Sequence, residues 1–145
     1  MTVKSSATFD VPAVVLYKSF LDQSDLTRMT RSPATSCPVV GGDWSLYGGS
    51  VRGKYQVLEE GKRIVQSWRF SNWADSNEST VEILFEPRGS SSTVVNVTQS
   101  NIPVHDKFGN AEQDKLCQRG WEDKYWNGIA TMLGYPRNKD EESCR

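Results

Sequence analysis

The sequence predicts an α+β domain: a curved antiparallel sheet wrapped around a long C-terminal helix, with one or two short helices near the N-terminus. Three observations carry that expectation. Apolar residues recur three or four apart over residues 13–21 and again over 117–132, the mark of helices buried along one stripe. Between them, from about residue 42 to residue 99, the period falls to two, as in strands dry on one face and wet on the other. Turn residues interrupt that stretch at Gly48-Gly49, Glu60-Gly61-Lys62 and Gly89-Ser90-Ser91-Ser92, so consecutive strands join as antiparallel hairpins. Helices gathered on one side of such a sheet define the α+β class.

Taken in order, residues 4–10 read as a first strand. Pro12 suits the first turn of a helix, and Ala13, Leu16, Tyr17, Phe20 and Leu21 form its buried stripe. A second short helix is expected from Ser24 to Met29, capped by Ser24 or Asp25, before Pro33 and Pro38 impose a loop. Trp44 and Leu46 then alternate with Ser45, and Val51, Tyr55 and Val57 with Arg52, Lys54 and Gln56. After the turn at Gly61, one strand face holds Ile64, Gln66, Trp68 and Phe70, and the other Val65, Ser67 and Arg69. Val81, Ile83 and Phe85 follow, and Thr93–Gln99 gives a further strand. Cys117, Trp121, Tyr125, Ile129 and Met132 share one stripe of the last helix, which Gly134 and Pro136 are placed to stop. Gly120 and Gly128 within it are expected to allow close approach to the sheet. The segment 137–145 is polar and charged and is expected to be a disordered tail, leaving 1–136 as one domain.

Composition narrows the function classes. The 145 residues carry a net charge of −1, with no strongly basic patch for nucleic acid. The first 70 residues hold 9 Lys+Arg against 6 Asp+Glu, and the remainder 8 against 12, an asymmetry that an ordinary solvated surface accounts for. Three cysteines without CxxC spacing fit a reducing compartment. The opening MTVKSSATFDVP lacks an apolar secretion core, and no stretch approaches a membrane span, so a cytoplasmic protein without membrane contact is expected. The sequons Asn77-Glu78-Ser79 and Asn96-Val97-Thr98 are then chance matches.

Catalytic chemistry is hard to assemble from this chain. Its one histidine, His105, sits in a Pro103-Val104-His105-Asp106 loop, with no cysteine at ligand spacing and no Gly-x-Ser-x-Gly elbow elsewhere. The glycine-rich Gly41–Gly49 stretch lacks a Gly-Lys-Ser/Thr ending and alternates aromatics, which suits a strand bounded by turns. Glu59, Glu60, Glu82 and Glu86 fall on turns or outward positions, unpaired as acid and base. The expectation is no catalytic residue, no metal site and no cofactor. The informative residues are aromatic: Trp44, Trp68, Phe70, Trp73, Trp121 and Tyr125 either fill the core, line a cavity between helix and sheet, or contact a partner. Trp73, just beyond its strand, is the one expected at the surface.

The segment Gly61-Lys62-Arg63-Ile64-Val65-Gln66-Ser67-Trp68-Arg69-Phe70-Ser71-Asn72-Trp73 resembles the signature of the activator of heat shock protein 90 ATPase family, in its C-terminal domain. The flanking motifs keep the family's order. Pro12-Ala13 with Leu16-Tyr17 and Phe20, Thr30-Arg31-Ser32-Pro33-Ala34-Thr35, Gly41-Gly42 and the Gly49/Gly53 pair lie upstream; Ser79-Thr80-Val81, Gln99, Ile102-Pro103, Gly120-Trp121 and Gly134-Tyr135 lie downstream. Each motif is weak alone, whereas the ordered set, spanning residues 5–136, is specific. The resemblance implies a helix-grip (START-like) fold and a co-chaperone role: binding the 90-kDa heat shock chaperone and favouring its closed, ATP-hydrolysing state by differential affinity. Members usually carry a separate N-terminal domain. This chain opens directly into the second, so a co-chaperone lacking that domain is expected. The alternative that the sequence leaves open is a START-like domain holding a small apolar ligand in the helix–sheet cavity.

Overall fold

The computed structural model describes residues 1–133. The chain starts with β1 (Val3–Phe9), one residue earlier than expected, and turns at Pro12 into α1 (Ala13–Ser19). Leu16, Tyr17, Phe20 and Leu21 are buried, while Val14 and Val15 on the opposite side stay exposed. The second helix, α2 (Gln23–Thr30), is capped by Asp22 rather than by Ser24 or Asp25: the Asp22 carboxylate accepts a hydrogen bond from the Asp25 backbone N–H at 2.9 Å. Arg31 ends it in a left-handed conformation.

The strands β2 (Thr35–Ser36), β3 (Asp43–Leu46), β4 (Val51–Glu59), β5 (Arg63–Phe70), β6 (Ser79–Arg88) and β7 (Ser92–Ser100) join β1 in one seven-stranded sheet of order β1-β7-β6-β5-β4-β3-β2. Every pairing is antiparallel. Apart from β1, each strand lies beside its sequence neighbour, as short turns dictate. The first strand closes the sheet against the last, with Val3 opposite Gln99, Ser5 opposite Val97 and Phe9 opposite Thr93. Those residues face the same side as Ile64, Val81, Ile83 and Val95, so the dry face runs unbroken across the central strands.

The strand β5 departs from wet-and-dry alternation. Val65, Ser67 and Arg69, expected in water, are buried along with Ile64, Gln66 and Trp68. Two contacts cover them. Gly53 of β4 lies so close that a Cβ there would sit 1.9 Å from the Ser67 carbonyl oxygen, and Ser67 Oγ accepts from the Lys54 N–H at 2.9 Å. Residues 71–78 fold back over Arg69, whose guanidinium donates to the carbonyls of Ala74 at 3.2 Å and Asp75 at 3.1 Å and to that of Trp73.

Across the dry face lies the C-terminal helix, three uninterrupted segments Gln113–Arg119, Gly120–Tyr125 and Trp126–Leu133. The middle one is a π-turn with i→i+5 bonding. It answers a phase problem in the sequence. Gln113, Cys117, Trp121, Tyr125 and Ile129 are spaced by four, and four residues of α-helix advance about 40° beyond a full turn. Over this span that drift would reach about 160° and carry one end of the stripe away from the sheet. The wider turn resets the phase, and Gln113, Cys117, Trp121 and Ile129 are all buried.

The two glycines of this helix do not perform the expected task. Gly128 packs against α2, not the sheet: a Cβ there would meet the Met29 carbonyl oxygen at 2.5 Å. Gly120 faces no atom within 4 Å of a Cβ. The expected stop at Gly134 and Pro136, the polar tail and the boundary at 136 lie outside the described residues.

Candidate functional site

Beside Gly120 the helix stands away from the sheet and leaves a cavity of about 580 Å³. Trp68 and Phe70 from the end of β5, with Leu46 and Val51 from β3 and β4, form its sheet side. The helix contributes Leu116, Cys117, Gly120, Trp121 and Tyr125, and Tyr47 and Asn72 come from loops. Arg119, Asp123 and Lys124 supply its charged groups.

The two tryptophans on facing walls are tied together beneath the cavity. Trp121 Nε1 donates to Gln99 Oε1 at 3.0 Å, Gln99 Nε2 to Ser79 Oγ at 2.9 Å, and Ser79 Oγ to the Trp68 carbonyl at 2.7 Å. Gln99 and Ser79 are fully buried, so this chain satisfies polar groups that would otherwise be stranded in the core and fixes the walls relative to one another. Trp121 also packs on Tyr125 with ring centroids 4.6 Å apart, and Trp68 meets Phe70 edge-on at 4.7 Å.

Of the six aromatic candidates, Trp68, Phe70, Trp121 and Tyr125 come together in the cavity. Trp73 does not, and the expectation that it lies at the surface is overturned: it is 0% exposed. Its Nε1 donates to Gln113 Oε1 at 2.8 Å, and Gln113 Nε2 in turn donates to the Asn110 carbonyl at 3.1 Å, so Trp73 pins two loops to the helix. Arg69 explains the inward turn, because it gathers the carbonyls of the segment carrying Trp73. Trp44 is also buried, away from this cavity, beside a depression containing Arg52, Lys54 and Glu78; its Nε1 has no hydrogen-bond partner among the described residues.

Burial, reinforced by Asp114, pushes the Cys117 thiol up to about 12, and burial likewise raises the Tyr47 and Tyr125 phenols. His105 is exposed on the loop before the C-terminal helix. Among the described residues no group of three or more His, Cys, Asp and Glu could hold a metal ion, and no helix is long and apolar enough to cross a membrane.

The loop that carries His105 is ordered by Asp106. Its carboxylate accepts from the backbone N–H of Phe108 and of Asn110, both at 2.9 Å, from Asn110 Nδ2 at 2.8 Å and from Asn72 Nδ2 at 3.1 Å. The Asn110 side chain first, then the two backbone donors, hold this carboxyl below the usual carboxylate range. The loop presents Val104 and Phe108 to solvent, with Phe108 72% exposed.

Tyr47, Asn72, Gln113, Arg119 and Lys124 were not singled out by sequence. Tyr47 had a legible signal: it precedes Gly48-Gly49 and takes the same left-handed backbone, with φ of 53°. The others had none, since polar residues on a helix or loop read as solvated.

Comparison with known proteins places this arrangement. Residues 10–134 match the family described as "Activator of Hsp90 ATPase homolog 1-like protein". An activator of 90 kDa heat shock protein ATPase homolog from Dictyostelium discoideum is 34% identical over 134 residues, covering 92% of this chain and 33% of that protein. The Hsp90 co-chaperone AHA1 of Saccharomyces cerevisiae is 29% identical over 133 residues, covering 88% and 36%. The chain thus spans about a third of the length of these relatives. The crystal structure of an HSP90 activator from Plasmodium falciparum superposes with a TM-score of 0.90 at 31% identity, covering 92% of this chain and 96% of that one. The helix-grip sheet and helix, the ordered motifs and the match over residues 10–134 lead to one conclusion: the chain belongs to the activator of Hsp90 ATPase homolog 1-like family.

Proposed function

We propose that this chain is a cytoplasmic co-chaperone domain that binds the 90-kDa heat shock chaperone and modulates its ATPase cycle. The observation that carries the reading is the match over nearly the whole chain to the crystal structure of a heat shock protein 90 activator. In this reading the domain performs no chemistry itself; it shifts the chaperone between conformations by binding one of them more tightly. The aromatic candidates are poor anchors for a partner, because Trp44, Trp68, Trp73 and Trp121 are buried. The contact we assign instead is the loop bearing Val104 and Phe108, held out in water by the Asp106 hydrogen bonds.

The test is binding of the purified chain to the chaperone with a non-hydrolysable ATP analogue, followed by the chaperone's ATPase rate. Saturable binding that weakens several-fold in Phe108→Ala supports the proposal. No binding at about 50 µM, where even weak transient complexes register, refutes it.

A further inference from the structure

The two edges of the sheet differ. The β2 edge is two residues long and covered: Gln23 Oε1 accepts from the Ser36 N–H at 3.0 Å, and Ser36 Oγ donates to the Leu21 carbonyl at 2.6 Å. The β1 edge is seven residues long and keeps an unbroken register with β7, without the bulge or proline by which natural sheets refuse a further strand. In an antiparallel ladder both backbone groups of a residue point the same way, and that direction alternates along the strand. Met1 exchanges both of its groups with Ile102, so Val3, Ser5, Ala7 and Phe9 face β7, while Lys4, Ser6 and Thr8 face outward. The Lys4 carbonyl agrees, since it accepts from Gln118 Nε2 at 3.0 Å. Among the described residues no such partner meets the outward groups of Ser6 and Thr8.

We infer that β1 is the surface through which two copies of this chain join, antiparallel, into one continuous sheet. The outer-face side chains carry the argument. Lys4, Ser6, Thr8 and Asp10 form an exposed row with opposite charges at its two ends. Neither Lys4 nor Asp10 makes an ion pair among the described residues, and the Asp10 carboxylate accepts from Ser92 Oγ at 2.9 Å. A second β1 running antiparallel and centred on Ala7 sets Lys4 opposite Asp10 of the second copy, and Asp10 opposite its Lys4. Ser6 then meets Thr8 of that copy and Thr8 its Ser6, which exchanges about four backbone hydrogen bonds. A slip of two residues loses both charge pairs, and a slip of one sets outward groups against residues that face β7. A parallel alignment in register opposes like charges. Only in the centred antiparallel register is the edge its own complement, so it favours a second copy over an unrelated strand. The loop bearing Val104 and Phe108 takes no part, so this inference and the chaperone proposal can each fail without the other.

Sedimentation equilibrium of the 145-residue chain, from about 0.02 to about 1 mM, reads the association. So short a contact implies a weak dimer, with Kd on the order of 0.2 mM. Amide exchange at Ser6 and Thr8 should slow as concentration rises, while that at Ala7, already bonded to β7, should not change. Lys4→Glu and Asp10→Lys should each weaken the dimer about tenfold, because each change acts twice across the two-fold axis. The double variant Lys4→Glu/Asp10→Lys restores opposite charges and should recover the wild-type Kd to within about twofold. Ser6→Pro removes an outward N–H but no bond to β7, so it should abolish association in a chain whose tryptophan fluorescence is unchanged. If Ser6→Pro unfolds, the charge exchange decides. Three results would each overturn the inference: a monomer at about 1 mM, its edge left to an extended segment of another protein; association indifferent to the single charge variants; or a double variant that fails to recover.

Discussion

The two glycines of the C-terminal helix make opposite predictions from the same substitution. In Gly128→Ala the added methyl would lie 2.5 Å from the Met29 carbonyl oxygen and 2.9 Å from Met29 Cγ. The side chain can swing away, but the carbonyl belongs to the last turn of α2, so the two helices must part by about 0.9 Å to restore an ordinary 3.4 Å contact. Overpacking of this kind costs about 1–3 kcal/mol, against a gain of about 1 kcal/mol in helix propensity. The net expectation is a loss of about 1 kcal/mol, and up to 2 if α2 cannot shift. That corresponds to a fall in Tm of about 2–6 °C for a domain of this size. In Gly120→Ala nothing opposes the propensity gain, so stability should rise by about 0.5–1 kcal/mol. Urea unfolding followed by tryptophan fluorescence measures both, with equal m-values required for the comparison. If Gly128→Ala proves as stable as wild type, the close approach to Met29 does not limit packing and the reasoning fails.

Three further outcomes follow from the buried polar groups. Arg69→Met should cost about 2–3 kcal/mol, because it strands the carbonyls of Trp73, Ala74 and Asp75, and Trp73 fluorescence should shift red before global unfolding. Gln99→Leu leaves Trp121 Nε1 without its acceptor and removes the donor to Ser79 Oγ; a loss of about 2–4 kcal/mol is expected in thermal unfolding, whereas a neutral result would show that the chain beneath the cavity is dispensable. The Asp106 carboxyl is held below its unfolded value, so its contribution is complete above the unfolded pKa and is lost as pH falls through the folded one. Wild type should therefore lose stability on acidification below about pH 4 more steeply than Asp106→Asn, as denaturation series at several pH values would show.

The periodicities made the helices and strands legible because they are local: the side-chain spacing that buries one stripe or face is written along a few consecutive residues. Trp68, Phe70, Trp121 and Tyr125 could be assigned to inward positions by the same rule, and the structure collects them around one cavity. Trp73 could not. Its burial depends on Arg69 drawing in the carbonyls of the following loop and on Gln113, forty residues later, accepting its N–H. The double burial of β5 has the same origin, since the close approach of Gly53 on β4 and the returning loop are invisible in the alternation of β5 itself.

The sequence by itself determined the α+β class, the order of elements and, through its ordered motifs, the family. It also posed the spacing of four in the last helix, a pattern that no straight α-helix keeps on one face. Only the tertiary structure decided how that conflict resolves, because a π-turn gains nothing locally and is held by the packing of Cys117, Trp121 and Ile129 against the sheet. The same packing decided which glycine meets a neighbour and which faces open space. Gly120 and Gly128 read alike in one dimension; Met29 lies against one, and a cavity opens beside the other.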